Sequence, residues 1–188
     1  HLAGVSSGAA ARRDPGMAWE VNAAGTARLL EGLCARPRRK VLVVSTGEVY
    51  GPGPAHPRSE QEPVVPVSPY ASSKAGAELA ALETMRRTGI PVIVARPFPH
   101  TGPGQTVQFV APAIAARLVE AKRAGATEVT TGSLDPVRDL LDVRDVAAAY
   151  QLLLERGVAG ETYNVASGLG LRLGDLFDRL AALVGGDR

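Results

Sequence analysis

The sequence predicts an α/β fold built around a buried parallel sheet. Two short runs, Lys40 to Ser45 and Pro91 to Arg96, are continuous in apolar and β-branched residues, as strands buried on both faces of a parallel sheet are. The segment from Asp14 to Arg36 instead repeats its apolar residues with the period of a helix. With 188 residues, the chain has room for one domain with a sizeable core.

Composition excludes several classes of function. Hydrophobic residues make up 45% and charged residues 21%, as in ordinary globular proteins. The net charge of +2 is too small to indicate a nucleic-acid partner. One cysteine, Cys34, and three scattered histidines predict neither an internal disulfide nor a metal site. No apolar run is long enough for a membrane span and no signal-peptide pattern is visible, so a cytoplasmic protein is expected.

The first helix and strand have clear local signals. Asp14 is a good N-cap and Pro15 suits the first turn, and the helix should end by Arg36, before Pro37. After the strand, the run from Ser45 to Gly51 carries hydroxyls and a carboxylate to the carboxyl edge of the sheet, where open α/β folds bind ligands. Residues 51–69 are rich in proline and predict a long surface loop.

A second helix should begin after Ser68, a favourable N-cap, and end at Gly89. It carries Tyr70 in its first turn and Lys74 one turn later on the same face. A nearby ammonium favours the phenolate and is expected to lower the phenol pKa, giving a pair that exchanges protons near neutral pH. The alternative is a chance pairing of a residue at the core edge with a solvated one.

The rest of the chain continues the alternation of helices and strands. Helices are predicted over 107–124, over 146–156 between a cap at Asp142 and a stop at Gly157, and over 173–184. Short strands are predicted at 128–131 and 161–166, and no internal repeat is visible.

Three ordered motifs resemble the extended branch of the short-chain dehydrogenase/reductases, which includes nucleotide-sugar epimerases, dehydratases and reductases. They are the opening at 1–4, the Ser-Thr-x-Glu-Val-Tyr-Gly strand end at 45–51 and the Ser-Pro-Tyr-x-x-x-Lys helix at 68–74. The resemblance implies a partial, doubly wound Rossmann-type parallel sheet, with the C-terminal portion of the dinucleotide-binding domain over 1–106. A smaller, mainly substrate-binding α/β part over 107–188 is expected to be incomplete and interleaved with the sheet. No Gly-x-Gly-x-x-Gly turn is present, and relatives continue past residue 188, so truncation at both ends is expected.

The resemblance also implies the site residues. Thr46, Tyr70, Lys74 and Glu48 are expected to be catalytic; Leu2, Ala3, Tyr70, Lys74 and His100 to contact NADP or NAD, with NADP favoured; and Gln105 and Arg138 to contact the substrate. The segment at 98–105 is most similar to reductases of GDP-4-keto-6-deoxy-D-mannose. Pro99 departs from that pattern, because it stands where these reductases have an Asn.

Other interpretations stay open at this point. Glu48 is typical of 4,6-dehydratases, a 4-epimerase has the same fold, and a non-catalytic dinucleotide-binding protein is a third alternative. Arg138 could instead form an ordinary surface ion pair with an Asp. Relatives dimerise through helices that correspond to 14–36 and 70–88, so a homodimer is possible. Without the glycine-rich turn, these 188 residues alone are expected to be inactive.

Overall fold

A computed structural model describes residues 1–35, 39–53 and 56–185. Contacts between Cα atoms divide the chain into two compact units. The first comprises His1–Phe98 and Arg144–Val165, and the second comprises Pro99–Val143 and Ala166–Arg188. The predicted end of the first long helix, at Arg36 and Pro37, lies outside the described residues.

Helices and strands alternate along much of the chain. In sequence order the elements are α1 (Gly8–Arg13), α2 (Pro15–Trp19), a π-helical turn (Glu20–Ala24), α3 (Gly25–Leu33), β1 (Val41–Val44), a 3₁₀ turn (Gly47–Tyr50), α4 (Pro69–Thr88), β2 (Val92–Pro97), β3 (His100–Thr101), α5 (Val110–Ala124), β4 (Val137–Asp139), β5 (Leu141–Asp142), α6 (Val143–Arg156), β6 (Thr162–Val165), β7 (Gly170–Arg172) and α7 (Leu173–Gly185).

The first unit is built on a parallel sheet of three strands in the order β1, β2, β6. Val41 pairs with Val92, and Val94 pairs with Thr162. Every residue of the central strand β2 is buried, which explains its unbroken apolar sequence. The predicted α/β fold with a buried parallel sheet is therefore confirmed.

One hydrophobic cluster joins this sheet to the helices. Its fully enclosed members are Leu30, Val43, Ala81, Ile90 and Val92. Cys34 packs against the cluster but is only partly buried, and its Sγ lies 3.5 Å from the carbonyl oxygen of Leu30. The Cys34 thiol thus lies at the margin of the core.

The helix signals read from the sequence are confirmed at both ends of α4. The Ser68 side chain accepts a hydrogen bond of 3.1 Å from the backbone N–H of Ala71. Pro69 occupies the first turn, and Gly89 ends the helix with a left-handed φ of 77°. At α2, the Asp14 carboxylate caps the N–H of Met17 at 2.8 Å. Caps of this kind satisfy backbone donors that the first turn leaves unpaired.

The proline-rich loop is fastened to the first unit at several points. The N–H of Val65 bonds the carbonyl of Val49 at 2.9 Å. Asn164 of β6 donates to the carbonyl of Arg58 at 3.0 Å, and Arg58 donates to the carbonyl of Gly51 at 3.1 Å. Gly51 has a φ of 67°, and a Cβ there would lie 2.1 Å from the Val65 carbonyl oxygen. The start of the loop therefore requires glycine.

The second unit contains two small sheets. β3 pairs in parallel with β5, and β4 pairs antiparallel with β7. The Asp139 carboxylate accepts hydrogen bonds from the backbone N–H groups of Ser167 (2.9 Å) and Gly168 (2.7 Å), and so fixes the turn before β7.

Two sequence predictions for this region are wrong. Residues 128–131 form no strand, because no strand pairs with them, and the Thr130 carbonyl instead accepts a bond of 3.4 Å from Arg117. Helix α6 begins at Val143 rather than at Val146, because the chain becomes helical directly after β5.

The two units are not consecutive stretches of sequence. The chain leaves the first unit after Phe98, and the segment Arg144–Val165, with nearly all of α6 and the whole of β6, returns to it. The division expected from the sequence at residues 106 and 107, with the second part interleaved with the sheet, stays a prediction.

Candidate active site

Thr46 stands where β1 ends and the 3₁₀ turn begins. Its backbone is extended, with a φ of −158°, and its hydroxyl oxygen accepts a bond of 3.2 Å from the N–H of Glu48. The residue is 7% exposed. This bond uses a lone pair of the oxygen and not the hydroxyl proton, which is available to donate elsewhere.

Tyr70 brings a phenol to this hydroxyl from the first turn of α4. The two side chains share a hydrogen bond, and the exposed Glu48 carboxylate lies close enough to act on the phenol electrostatically. Capping by Ser68 places Tyr70 in the first turn of the helix, where it faces the end of β1. The structure therefore brings together Thr46, Glu48 and Tyr70, three of the four side chains predicted to be catalytic.

Lys74, the fourth, is fixed one turn further along α4. Its Nζ donates a hydrogen bond of 2.9 Å to the carbonyl of Val44, the last residue of β1. The side chain is buried, and burial lowers the pKa of its ammonium group. One ammonium proton is therefore committed to the strand end, and two remain for other acceptors.

The predicted effect of Lys74 on the phenol is not observed. Burial raises the pKa of Tyr70 to about 12; the hydrogen bond from Thr46 lowers it in part, and the Glu48 carboxylate raises it further. Lys74 is not among the groups that shift this pKa. The phenol is thus neutral at physiological pH, and it is a proton donor rather than a base.

A buried amide links the start of the chain to the catalytic helix. Asn22, in the π-helical turn, accepts from the N–H of Val5 at 2.8 Å and donates to the carbonyl of Val5 at 3.1 Å. It also donates to the Ser73 hydroxyl at 2.9 Å. Sequence reasoning missed Ser73. The only local signal of Ser73 is its place beside Lys74 in the helix.

The predicted cofactor residues Leu2 and Ala3 lie on an exposed segment beside this network. A Cβ on the following Gly4 would lie 2.7 Å from Asn22 Oδ1 and 3.4 Å from Lys74 Nζ. Next to Thr46 in sequence, the buried Ser45 hydroxyl has no hydrogen-bond partner. A close backbone approach and an unsatisfied buried hydroxyl are features that accompany ligand sites.

The remaining predicted site residues belong to the second unit. His100 lies in β3, paired with Leu141. The Gln105 amide donates to the His100 carbonyl at 3.0 Å and accepts from the Thr101 hydroxyl at 2.7 Å, so it closes its own turn. Arg138 is exposed and donates to the Val137 carbonyl at 2.8 Å.

The alternative of an Arg138–Asp ion pair is not supported at its neighbour Asp139. That carboxylate accepts bonds from Ser167 and Gly168.

A metal site and a membrane-spanning helix are both absent from residues 1–35, 39–53 and 56–185. Within these ranges, no cluster of three or more His, Cys, Asp and Glu side chains could hold a metal ion. No helix there is both long and apolar enough to cross a membrane.

Comparison with known proteins places the chain in a family. Residues 1–166 match the model of the NAD dependent epimerase/dehydratase family. The chain belongs to this family. Its α/β sheet is accordingly Rossmann-like, and the resemblance to extended short-chain dehydrogenase/reductases is confirmed.

Members of the family with known activities are similar over most of the chain. GDP-6-deoxy-D-mannose reductase of Pseudomonas aeruginosa is 42% identical over 186 residues, 96% of this chain and 61% of that reductase. A dTDP-glucose 4,6-dehydratase of Actinoplanes is 35% identical over 147 residues, 78% of this chain and 45% of that dehydratase. The structure of RMD from Pseudomonas aeruginosa complexed with NADPH has a TM-score of 0.93 and 39% identity, covering all of this chain and 65% of that one.

The site residues fit a nicotinamide dinucleotide, as the family description implies. Lys74 keeps ammonium protons that could hold ribose hydroxyls, and Gly4 leaves room beside it that a side chain would fill. The Ser45 hydroxyl offers an unused polar group at the adjoining strand end. Convergent hydrogen-bonding groups of this kind suit the hydroxyls of a dinucleotide.

The neutral phenol leads to a titration test. At pH 11, a phenol of pKa 12 is about one tenth ionised, whereas a free tyrosine is about nine tenths ionised. The phenolate absorbance of the protein minus that of its Tyr70→Phe variant should therefore be small at pH 11. The variant is needed because burial also raises the pKa of Tyr150 to about 12. Full ionisation of Tyr70 in the folded protein at pH 11 would contradict the assigned environment.

The same shift predicts the sign of a stability change. The unfolded chain releases this proton near pH 10 and the folded protein holds it until about 12. The contribution of Tyr70 to the free energy of unfolding is thus complete below pH 10 and is lost as the pH rises through 12.

Proposed function

We propose that this chain is part of an NAD(P)-dependent nucleotide-sugar oxidoreductase. The enzyme reduces a GDP-4-keto-6-deoxyhexose at C4, with NADPH as the favoured cofactor. The arrangement of Tyr70, Thr46 and Lys74 supports this proposal most strongly. A neutral phenol forms a hydrogen bond with the Thr46 hydroxyl at the end of a parallel strand, and Lys74 attaches the helix of that phenol to the same strand. The 42% identity to a GDP-6-deoxy-D-mannose reductase favours this substrate class. The chain spans 61% of that reductase, so the proposal concerns the full-length protein.

The chemistry follows from the protonation state of the site. Reduction of a ketone creates an alkoxide, which needs a proton and an electrostatic partner. Tyr70 donates the proton. Thr46, whose oxygen already accepts from the N–H of Glu48, donates its own proton to the oxyanion or to the resulting phenolate. When bound, the nicotinamide supplies the hydride.

Lys74 has two tasks in this scheme. Its bond to the Val44 carbonyl fixes the distance between α4 and the strand end. Its remaining protons would hold the ribose of the cofactor. Leu2 and Ala3 contribute the exposed backbone beside that ribose.

The residues of the second unit complete the proposal. His100 is proposed to contact the cofactor. Gln105 positions the substrate through its turn, and Arg138 binds the diphosphate, where a guanidinium forms charge-assisted bonds. Pro99 offers no side-chain hydrogen bond in place of the Asn of similar reductases, so sugar recognition depends on other groups.

A 4,6-dehydratase is the second candidate, and one observation favours it. Glu48 acts electrostatically on Tyr70, and elimination of water across C5 and C6 of the sugar requires a base beyond the phenol. The 35% identity to a dTDP-glucose 4,6-dehydratase agrees with that role. A 4-epimerase is the third, since a UDP-glucose 4-epimerase of Mycolicibacterium smegmatis is 33% identical over 186 residues.

One substitution separates the first two candidates. In the full-length protein, Glu48→Gln should leave NADPH oxidation by GDP-4-keto-6-deoxymannose within about threefold, because reduction needs no second base. Tyr70→Phe should lower it by about 10² to 10⁴-fold, the usual contribution of general-acid catalysis. Both are measured by the loss of reduced-nicotinamide absorbance.

Other outcomes identify the alternatives. Water loss from GDP-mannose that disappears in Glu48→Gln, with no NADPH oxidation, would refute the reductase and establish the dehydratase. Tight NADPH binding with neither reaction would indicate the non-catalytic dinucleotide-binding protein.

We also propose a homodimer through the helices at 14–36 and 70–88. Large apolar side chains are exposed on them: Met17 58%, Trp19 47%, Val21 38%, Leu29 39% and Leu79 71%. Exposed apolar residues collected on neighbouring helices are typical of an interface.

Sedimentation of a charge variant tests the dimer. Leu79→Arg should shift the full-length protein from dimer to monomer at micromolar concentration, because it buries an unpaired charge in the proposed interface. Leu183→Arg is the control, since Leu183 is equally apolar and 79% exposed but belongs to α7, which is not part of the proposed interface. Equal sedimentation of both variants and the unsubstituted protein would refute this interface.

A further inference from the structure

A buried ion pair joins the catalytic helix to the central strand. Arg96 of β2 donates from Nε to Glu78 Oε1 at 3.0 Å and from Nη2 to Glu78 Oε2 at 2.7 Å. The two side chains are only 7% and 6% exposed. This is the bidentate geometry in which Arg and a carboxylate fix both distance and orientation.

The same guanidinium holds two more segments of the first unit. Arg96 Nη1 donates to the Tyr50 hydroxyl at 2.9 Å and to the Glu60 carbonyl at 3.3 Å. Its Cζ lies 4.9 Å from the centre of the Tyr50 ring. Tyr50 ends the 3₁₀ turn that Thr46 caps, and Glu60 lies in the proline-rich loop. One side chain therefore fastens α4, the Thr46 turn and the loop to the sheet.

The position of Glu78 in α4 connects this pair to the chemistry. Tyr70, Lys74 and Glu78 follow one another at intervals of four residues, so they lie along one face of the helix. Rotation or sliding of α4 would move all three together. Of these three residues, Lys74 attaches the helix to β1 and Glu78, one turn further along, attaches it to β2.

Stability alone is a weak explanation for a buried pair of this kind. Desolvation of two charges offsets much of their attraction, and replacement of both by apolar residues is often neutral or stabilising. The exposed pair of Arg87 with Glu83, on the same helix and 50% and 55% exposed, holds no part of the site. The contacts of Arg96, in contrast, converge on the segments that carry Thr46 and Tyr70.

We propose that Arg96 and Glu78 are positioning residues for the reaction: their bidentate ion pair fixes α4 against the sheet so that the Tyr70 phenol meets the Thr46 hydroxyl. The inference rests on the proposed function of this site and adds residues that touch neither cofactor nor substrate. Both act through Tyr70 and Thr46.

The test uses a variant of the full-length protein that avoids an unpaired buried charge. Arg96→Met combined with Glu78→Met removes both charges and keeps apolar bulk, so the fold should persist. We expect kcat to fall about 30- to 100-fold, as small misplacements of reacting groups cause, while KM stays within about threefold. The single variant Arg96→Lys keeps a positive charge beside Glu78 but lacks the bidentate guanidinium. Its kcat should therefore fall less than that of the double variant. Arg87→Met is the matched control and should keep the kcat of the unsubstituted protein.

A readout without turnover accompanies the kinetics. Burial is the main cause of the raised phenol pKa, so release of α4 should hydrate Tyr70 and increase its ionised fraction at pH 11 from about one tenth towards nine tenths. The fraction is measured by difference against Tyr70→Phe in each background. The control variant should not change it.

The outcomes separate this inference from the proposed function. Rates are measured for whichever reaction the unsubstituted protein catalyses, reduction of the keto sugar or loss of water from GDP-mannose. If the unsubstituted protein catalyses neither reaction, the proposed function is refuted, and the titration of Tyr70 alone decides whether Arg96 and Glu78 position it. Unchanged kcat and unchanged Tyr70 ionisation in the double variant would overturn the inference. A loss of kcat in Arg87→Met equal to that of the double variant would overturn it too. If the double variant does not fold, an unchanged kcat in Arg96→Lys would overturn it instead.

Discussion

The attachment of α4 to the carboxyl end of β1 is the constraint on which the site depends. An ammonium from the helix bonds the last carbonyl of the strand, Lys74 Nζ to Val44 O at 2.9 Å. One turn earlier, Tyr70 shares a hydrogen bond with Thr46, the second residue beyond that strand. These two contacts, one helical turn apart, fix both the position of α4 along its axis and its rotation about that axis.

This constraint determines which proton chemistry is available. A phenol drawn into the protein interior holds its proton more tightly, and a nearby carboxylate strengthens the effect. The Tyr70 pKa of about 12 therefore suits donation to an alkoxide that hydride transfer creates. Abstraction of a proton at neutral pH would require a phenolate, and this arrangement disfavours it.

Much of the fold is predictable from local sequence signals. The cap at Ser68, the stop at Gly89 and the apolar run of β2 each depend on neighbours in the chain, and all three are confirmed. The strand predicted at residues 128–131 does not form because a strand needs a partner, which local sequence does not supply. The pairing of β6 with β2 is also hidden from local signals, since β6 joins the sheet from far along the sequence.

The sequence indicates three side chains that the structure brings together, but not their electrostatics. Thr46, Tyr70 and Lys74 carry motif signals, and the structure brings them to one strand end. The upward shift of the Tyr70 pKa depends on burial and on the nearby Glu48 carboxylate, and the spacing of residues in the sequence reveals neither. Sequence reasoning missed the Arg96–Glu78 pair because its members are 18 residues apart and on different elements.

The central claim is that Tyr70 and Thr46 act as one unit on a single oxygen, and a double-mutant cycle on turnover in the full-length protein tests it most directly. Tyr70→Phe, Thr46→Val and the double variant are compared by kcat. If the residues form one unit, the double variant should be no more than about threefold slower than Tyr70→Phe alone, because effects within a unit are not additive. Losses that multiply across the two sites would show that the hydroxyl and the phenol act independently.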